Sequence, residues 1–186
     1  MPILAPLTLK LLAIDPGLNN IGFSLFTFSA INRSIINISA STLSTEQQLP
    51  LYSNLSYYFD ERTIKLIILK EHIINILHTY HTDIIVCEAP FFYGNKPNAF
   101  RALVESISTI KQTIHDIKPL IPFIQLEPLL VKKHVKSLNI HNKTSTKDAL
   151  LALNINTFID LNVLDEHSID AISIGYAFLK TRELIV

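Results

Sequence analysis

Three acidic side chains stand beside apolar segments at widely separated points of the chain. Asp15 follows one short apolar run, Glu88 ends another, and Asp170 lies near the C-terminus; 73 and 82 residues separate them. Carboxylate oxygens are the ligands that Mg²⁺ prefers in proteins, and the ion keeps several of its waters. If the fold brings these three acids together, they form a site for hard divalent cations.

A histidine accompanies the last of these acids. His167 lies three residues before Asp170, so on a helix both side chains point the same way. A histidine in this place can bind a metal ion or donate a proton to a leaving group. Asp165 and Glu166 are nearby rivals of Asp170. The helical offset favours Asp170, and we expect the other two to cap the helix or face solvent.

Each acid also has a structural explanation. Asp15 can satisfy backbone donors in its turn, and Asp170 can interact with the positive end of a helix. Glu88 is harder to explain in this way, because a buried, unpaired charge at the end of an apolar strand costs several kcal/mol. The metal-site interpretation is therefore favoured over a purely structural one.

Basic residues are concentrated in one segment, although the formal net charge of the 186-residue chain is zero. Residues 128–147 contain no acid, and the lysines there are Lys132, Lys133, Lys136, Lys143 and Lys147. The segment is either a solvated basic face or a set of contacts to phosphates, which would make binding dependent on salt.

Apolar periodicity divides the chain into alternating strands and helices. Strands are predicted at residues 9–14, 21–28, 33–39, 84–87 and 121–126, and a polar loop at 41–50. Helices are predicted at 60–80, from a cap at Asn98 to residue 117, at 129–137, from a cap at Ser145 or Thr146, and at 168–179. This order indicates one α/β domain over residues 1–186. Cys87, the single cysteine, fits a buried thiol in a cytoplasmic protein.

Four segments resemble sequence blocks of the RuvC-type Holliday-junction resolvases, in the order in which that family has them. The segments are residues 12–23, 85–88, 128–135 and 167–171, and the resemblance extends from about residue 9 to residue 179. It implies an RNase H-like fold, in which a three-stranded antiparallel meander and further parallel strands form one mixed central sheet flanked by helices.

The resemblance also implies a metal-dependent mechanism. Two Mg²⁺ ions, for which Mn²⁺ would substitute, would share Asp15 as a bridging ligand; Glu88 would hold one ion and Asp170 the other. His167 would be a further ligand or the general acid. The implied activity is that of a Mg²⁺-dependent endodeoxyribonuclease, which resolves four-way junctions by paired symmetric nicks and leaves 5′-phosphate ends.

Two lysines would lie near the scissile phosphate by the same resemblance. Lys132 matches the family's lysine-bearing helix, with Lys133 as the adjacent alternative. Lys147 fits the family spacing counted back from Asp170, whereas Lys143 fits the spacing counted forward from Lys132. The family usually has glycines in the intervening loop, and this chain has none there, so its cleavage preference stays open.

The loop after Glu88 carries Phe91, Phe92 and Tyr93, three aromatics that either stack on bases and wedge a junction open or pack beneath the loop. The family further implies a homodimer, with the apolar face of residues 100–117 as a dimer contact, a sheet-facing surface or both. Branched DNA is the expected partner, and the sequence identifies no helicase partner.

Three alternatives stay open. The first is a related RNase H-like nuclease that acts on other branched DNA or on structured RNA. The second is a non-catalytic module that binds DNA junctions, for which the carboxylates would have no use. The third is an actin-like ATPase, which needs more glycine-rich turns than four glycines allow.

Overall fold

The structure is a computed structural model that describes residues 7–92, 94, 96–135 and 145–186. Five strands form one sheet in the order β3-β2-β1-β4-β5. Neighbouring strands are antiparallel from β3 to β1 and parallel from β1 to β5. The strands are β1 (Thr8–Asp15), β2 (Asn20–Ser29), β3 (Ser34–Ser44), β4 (Ile84–Glu88) and β5 (Phe123–Leu126). The predicted mixed sheet, an antiparallel meander extended by parallel strands, is confirmed.

Helices cover both faces of the sheet. They are α1 (Thr45–Gln48), α2 (Glu61–Thr79), α3 (Pro97–Ile117), α4 (Pro128–Val135), α5 (Thr146–Ala152) and α6 (Glu166–Thr181), with 3₁₀ turns at Leu49–Tyr57 and Ile155–Thr157. One apolar cluster joins α2 and α3 to the sheet, and another joins α4, α5 and α6 to its opposite face. In the described part of the chain, no helix has the length and apolar character needed to cross a bilayer.

Strand β1 lies in the middle of the sheet because its side chains are apolar on both faces. Leu11 and Ala13 belong to the cluster around α6, and Leu12 and Ile14 to the cluster around α2. All four are buried. This alternation follows from the two-residue period of a strand, and it assigns the next residue, Asp15, to the α6 face.

Helix α6 is buried on nearly all sides, since it lies between the sheet and the shorter helices α4 and α5. A helix that is apolar all round is expected in such a position. Gly175 permits its close approach to the sheet, because a Cβ atom at that position would lie 2.2 Å from the Phe26 ring. The helix is therefore fixed tightly against β2.

Several predicted boundaries differ from the structure. Strand β3 continues to Ser44, where a loop from residue 41 was expected, because a strand at the sheet edge tolerates serine and threonine side chains. Helix α3 begins at Pro97 with Lys96 at its N-cap, so the predicted cap at Asn98 is wrong. The cap at Ser145 is confirmed, since its Oγ accepts from the Asp148 N–H at 3.1 Å.

Helix α3 uses its apolar face within the molecule. Ile107, Ile110 and Ile114 are buried in the same cluster as α2 and the sheet. These three isoleucines therefore form a sheet-facing part of the apolar face, and the dimer contact stays a prediction.

Candidate active site

Two of the predicted acids end adjacent parallel strands. Ile14 of β1 pairs with Cys87 of β4, so the following residues, Asp15 and Glu88, lie side by side at the same edge of the sheet. Alternation along each strand directs both carboxylates to the face that α6 covers. The third acid, Asp170, is in the second turn of α6. All three line one cavity of about 360 Å³, so the structure brings them together as expected.

Hydrogen bonds fix the first turns of α6 against the sheet. Asp165 is the N-cap, and its Oδ1 accepts from the Ser168 N–H at 2.9 Å. The Thr42 hydroxyl of β3 donates to the same Oδ1 at 2.6 Å. The Ser24 hydroxyl of β2 donates to the Ala171 carbonyl at 2.9 Å. The helix segment that carries the functional side chains is thus held from two strands, and Asp165 is the capping residue, as expected.

Gly22 allows this helix to come close to Asp15, with which it is paired across β1 and β2. A Cβ atom on Gly22 would lie 2.0 Å from the backbone oxygen of His167 and 3.2 Å from the Asp15 Cβ. Any larger residue would push the helix away from the sheet. Gly22 was not among the predicted site residues, although it lies only five residues after the turn glycine, Gly17, on the same hairpin.

His167 contacts the first acid directly. Its Nδ1 lies 3.2 Å from the Asp15 Oδ2, and the Asp15 side chain is only 16% exposed. On the other side of the ring, Nε2 is 3.7 Å from the exposed Glu166 carboxylate. His167 is therefore placed to orient Asp15, although it is not among the residues that line the acidic cavity.

Burial and the repulsion between acids raise the pKa of Asp15 and the pKa of Glu88. Burial raises the pKa of Asp15 to about 6; the hydrogen bond with His167 opposes the rise, and the charge of Asp170 adds to it. Burial likewise raises the pKa of Glu88 to about 7, with the charges of Asp15 and Asp170 adding to the rise and that of Lys132 opposing it. Such a cluster is stabilised by any cation that enters it.

Asp15, Glu88 and Asp170 offer the cavity carboxylate oxygens, the ligands that hard cations prefer. Among the described residues, no three His, Cys, Asp or Glu side chains are grouped so that they could hold one ion by themselves. Mg²⁺ does not need such a cage, because it is usually bound by one or two carboxylates together with water and substrate phosphates. Asp15 and Glu88 lie next to each other on adjacent strands, and Asp170 lines the same cavity from α6.

The lysines divide into those at the cavity and those beside it. Lys132 of α4 lines the cavity, as does Lys96 just before α3, which was not among the predicted site residues. Lys133 is exposed on α4, and Lys147 is partly buried in the first turn of α5; neither is among the lining residues. Lys136 and Lys143 lie outside the described residues.

The aromatic loop lies at the rim of the same cavity. Phe91 lines it and is 47% exposed. Phe92 is 50% exposed and packs edge-to-face on Phe100 of α3, with ring centroids 5.2 Å apart. Tyr93 lies outside the described residues. Phe91 and Phe92 are thus partly packed and still present about half of their surface to solvent, and stacking on bases stays a prediction.

Comparison with known proteins gives a fold. No protein-family model and no curated protein matches the sequence. Among solved structures, RuvC of T. thermophilus in complex with a Holliday junction substrate is similar with a TM-score of 0.69 and 14% identity, over 94% of this chain and 95% of that one. The yeast mitochondrial Holliday junction resolvase Ydc2 gives 0.66 and 13%, over 94% and 79%. The fowlpox virus Holliday junction resolvase gives 0.55 and 12%, over 93% and 99%.

At these identities the similarity establishes the fold. The chain has the RNase H-like architecture of RuvC and related resolvases over nearly its whole length, as the four sequence blocks predicted.

Proposed function

We propose that this protein is a divalent-metal-dependent endonuclease that resolves four-way DNA junctions. The observation that carries the proposal is the convergence of Asp15, Glu88 and Asp170 in one cavity. Three buried or half-buried acids that repel one another are costly to a fold, and cation binding is the function that offsets this cost. The similarity of fold to solved junction resolvases supports the choice of substrate.

Asp15 would be shared by two Mg²⁺ ions, with Glu88 holding one and Asp170 the other; Mn²⁺ would substitute. When bound, such ions activate water and neutralise the charge that develops on the phosphate. The products would be a 5′-phosphate and a 3′-hydroxyl.

The protein's own side chains would orient the acids and neutralise the charge of the phosphates. His167 contacts one oxygen of Asp15 through its Nδ1, and it would either bind metal or protonate the leaving oxygen. Lys132, at the cavity wall, supplies positive charge for the scissile phosphate. Lys133 and Lys147, next to the cavity, would contact flanking phosphates, and the same role is proposed for Lys136 and Lys143.

Recognition of a junction would use the aromatic rim. Phe91 and Phe92 are exposed enough to stack on unpaired bases at a branch point, with Tyr93 as the third member of the group. A homodimer would place two such sites on opposing strands for symmetric nicking. Because the buried face of α3 lies in the core, the dimer contact would use the remaining surface of the molecule.

The direct test is cleavage of a synthetic four-way junction, a linear duplex of the same sequence and an RNA–DNA hybrid, each with Mg²⁺, Mn²⁺ or Ca²⁺. We expect paired nicks in the junction with Mg²⁺ or Mn²⁺, and binding without cleavage for Asp15→Asn. Preferred cleavage of the hybrid would favour a related RNase H-like nuclease. Binding of the junction without cleavage in either metal would favour a non-catalytic module.

A further inference from the structure

The outer strand of the sheet is unusually open to pairing. Strand β3 is 11 residues long, and its residues are uncharged and include no proline. Within the described residues, no strand lies beyond it in the sheet. Proteins commonly protect such an edge with charged side chains, proline or a covering segment, because free backbone groups pair with any extended chain. The edge of β3 carries none of the residues that normally prevent pairing.

The strand register identifies which backbone groups are free to pair. The Asp83 N–H donates to the Lys10 carbonyl at 2.9 Å, so Lys10 directs its backbone groups toward β4. Successive residues of a strand alternate in direction, which turns Leu11 toward β2. Leu11 pairs with Phe26 of β2, so Phe26 directs its backbone groups toward β1 and the preceding residue, Leu25, directs its own toward β3. Leu25 pairs with Ser39, and Ser39 therefore bonds to β2. The residues that direct N–H and C=O away from the sheet are Ile38, Ala40 and Thr42.

A groove of about 250 Å³ runs beside this edge, between β3 and helix α2. Its floor is apolar, formed by Phe23 and Leu25. Its far wall is formed by His72 and Ile76 of α2 and by Tyr80, which follows that helix. On the near side β3 contributes small side chains, Ser39 and Ser41 among them. Because these serines fill little space, the apolar surface of the neighbouring strand stays open beside the edge.

We propose that β3 binds an extended, uncharged segment of a partner protein, which adds to the sheet as a sixth strand. Its backbone bonds to the outward groups of β3, and the residues opposite Ser39 and Ser41 are aliphatic and pack into the groove. This is recognition by strand addition, in which the main chain supplies affinity and alternate side chains supply specificity.

A second copy of this chain is a poorer occupant. Antiparallel pairing of two β3 strands keeps the faces of the two sheets aligned, so the second copy would bring its own Ser39 and Ser41 to the groove side. Apolar surface would then stay uncovered. The proposal is independent of the nuclease activity, since none of the groove residues lines the acidic cavity.

The experiment selects binders from a phage-displayed library of random linear peptides on the full chain, with Ala40→Pro as the counter-selection. Proline at this place removes an outward N–H that the sheet does not use, and edge strands tolerate such a change. We expect enriched peptides with aliphatic residues at every second position. A synthetic version of an enriched peptide should bind the Ala40→Pro variant about tenfold more weakly than the matched control, Ala40→Val, because backbone hydrogen bonds are lost.

Two further readouts separate strand addition from other binding. In hydrogen exchange, bound peptide should protect the amides of Ile38, Ala40 and Thr42, which point outward, while junction cleavage stays unchanged. Ser39→Glu, which leaves the backbone intact and puts a charge at the groove, should also weaken the peptide about tenfold. The proposal is overturned if no peptide prefers the wild type to Ala40→Pro, if those three amides stay unprotected, or if the edge instead forms a homodimer.

Discussion

Replacing Asp15 by asparagine should make the metal-free protein more stable while removing its nuclease activity. Asp15 is 16% exposed, and burial, with the charge of Asp170, raises its pKa from 3.8 to about 6. Compared with the unfolded chain, the folded state therefore favours the protonated form of Asp15 over its carboxylate. Asparagine has nearly the same shape and carries no charge, so it avoids this cost while keeping an oxygen near His167.

The magnitude follows from linkage between proton binding and folding. A rise in pKa from 3.8 to about 6 corresponds to about 3 kcal/mol of stability, present below pH 3.8 and lost as the pH rises through 6. Partial exposure and relaxation of the site reduce this, so we expect a gain of about 1–3 kcal/mol for Asp15→Asn at pH 8. For a chain of this length, each kcal/mol raises Tm by about 2–4 °C.

The assay is thermal unfolding of both proteins in EDTA between pH 4 and pH 8, repeated with Mg²⁺. The advantage of Asp15→Asn should grow as the pH rises from 4 to 6 and then level off. Mg²⁺ should stabilise the wild type more than the variant, because the ion binds only the folded site. Asp160→Asn, an exposed acid that accepts from the Asn162 N–H at 2.9 Å, is the control and should change little. An equal Tm for wild type and Asp15→Asn at pH 8, without metal, would refute the reasoning.

Three further substitutions test other parts of the site. Gly22→Ala should lower Tm and abolish cleavage together, because its Cβ would meet the His167 carbonyl; unfolding and nicking assays on one preparation check this, and full activity would contradict the proposed packing. Lys132→Ala should slow nicking about tenfold or more at saturating junction, whereas Lys133→Ala should mainly weaken binding in a salt-dependent way; single-turnover rates and binding isotherms separate the two, and equal rate losses would count against a special role for Lys132. Phe91→Ala combined with Phe92→Ala should reduce junction cleavage far more than duplex binding, and equal losses on both substrates would argue against a wedge.

The sequence predicted the acids because each stands next to a strand or helix that can be recognised from its own residues. Short apolar runs before Asp15 and at Glu88 identify buried strands, and parallel neighbours necessarily end at one edge of the sheet. The cap at Asp165 and the spacing of His167 from Asp170 also follow from helix geometry alone. These features need no knowledge of how the elements pack.

The features that the sequence did not predict depend on contacts between segments that are far apart in the chain. The requirement for glycine at position 22 arises from a helix that lies 145 residues further along the chain, at His167. The place of Lys96 at the cavity depends on how α3 leaves the loop after Glu88. The direction of the α3 apolar face, and the open edge of β3, likewise depend on the order of strands in the sheet.

The central claim is that Asp15, Glu88 and Asp170 together hold a pair of divalent cations. The most direct measurement is anomalous diffraction from crystals of the wild type soaked with Mn²⁺ in the presence of a four-way junction. We predict two manganese peaks in the acidic cavity, with Asp15 bound to both, Glu88 to one and Asp170 to the other. Manganese peaks held by other residues, with these three carboxylates bound to none, would contradict the account.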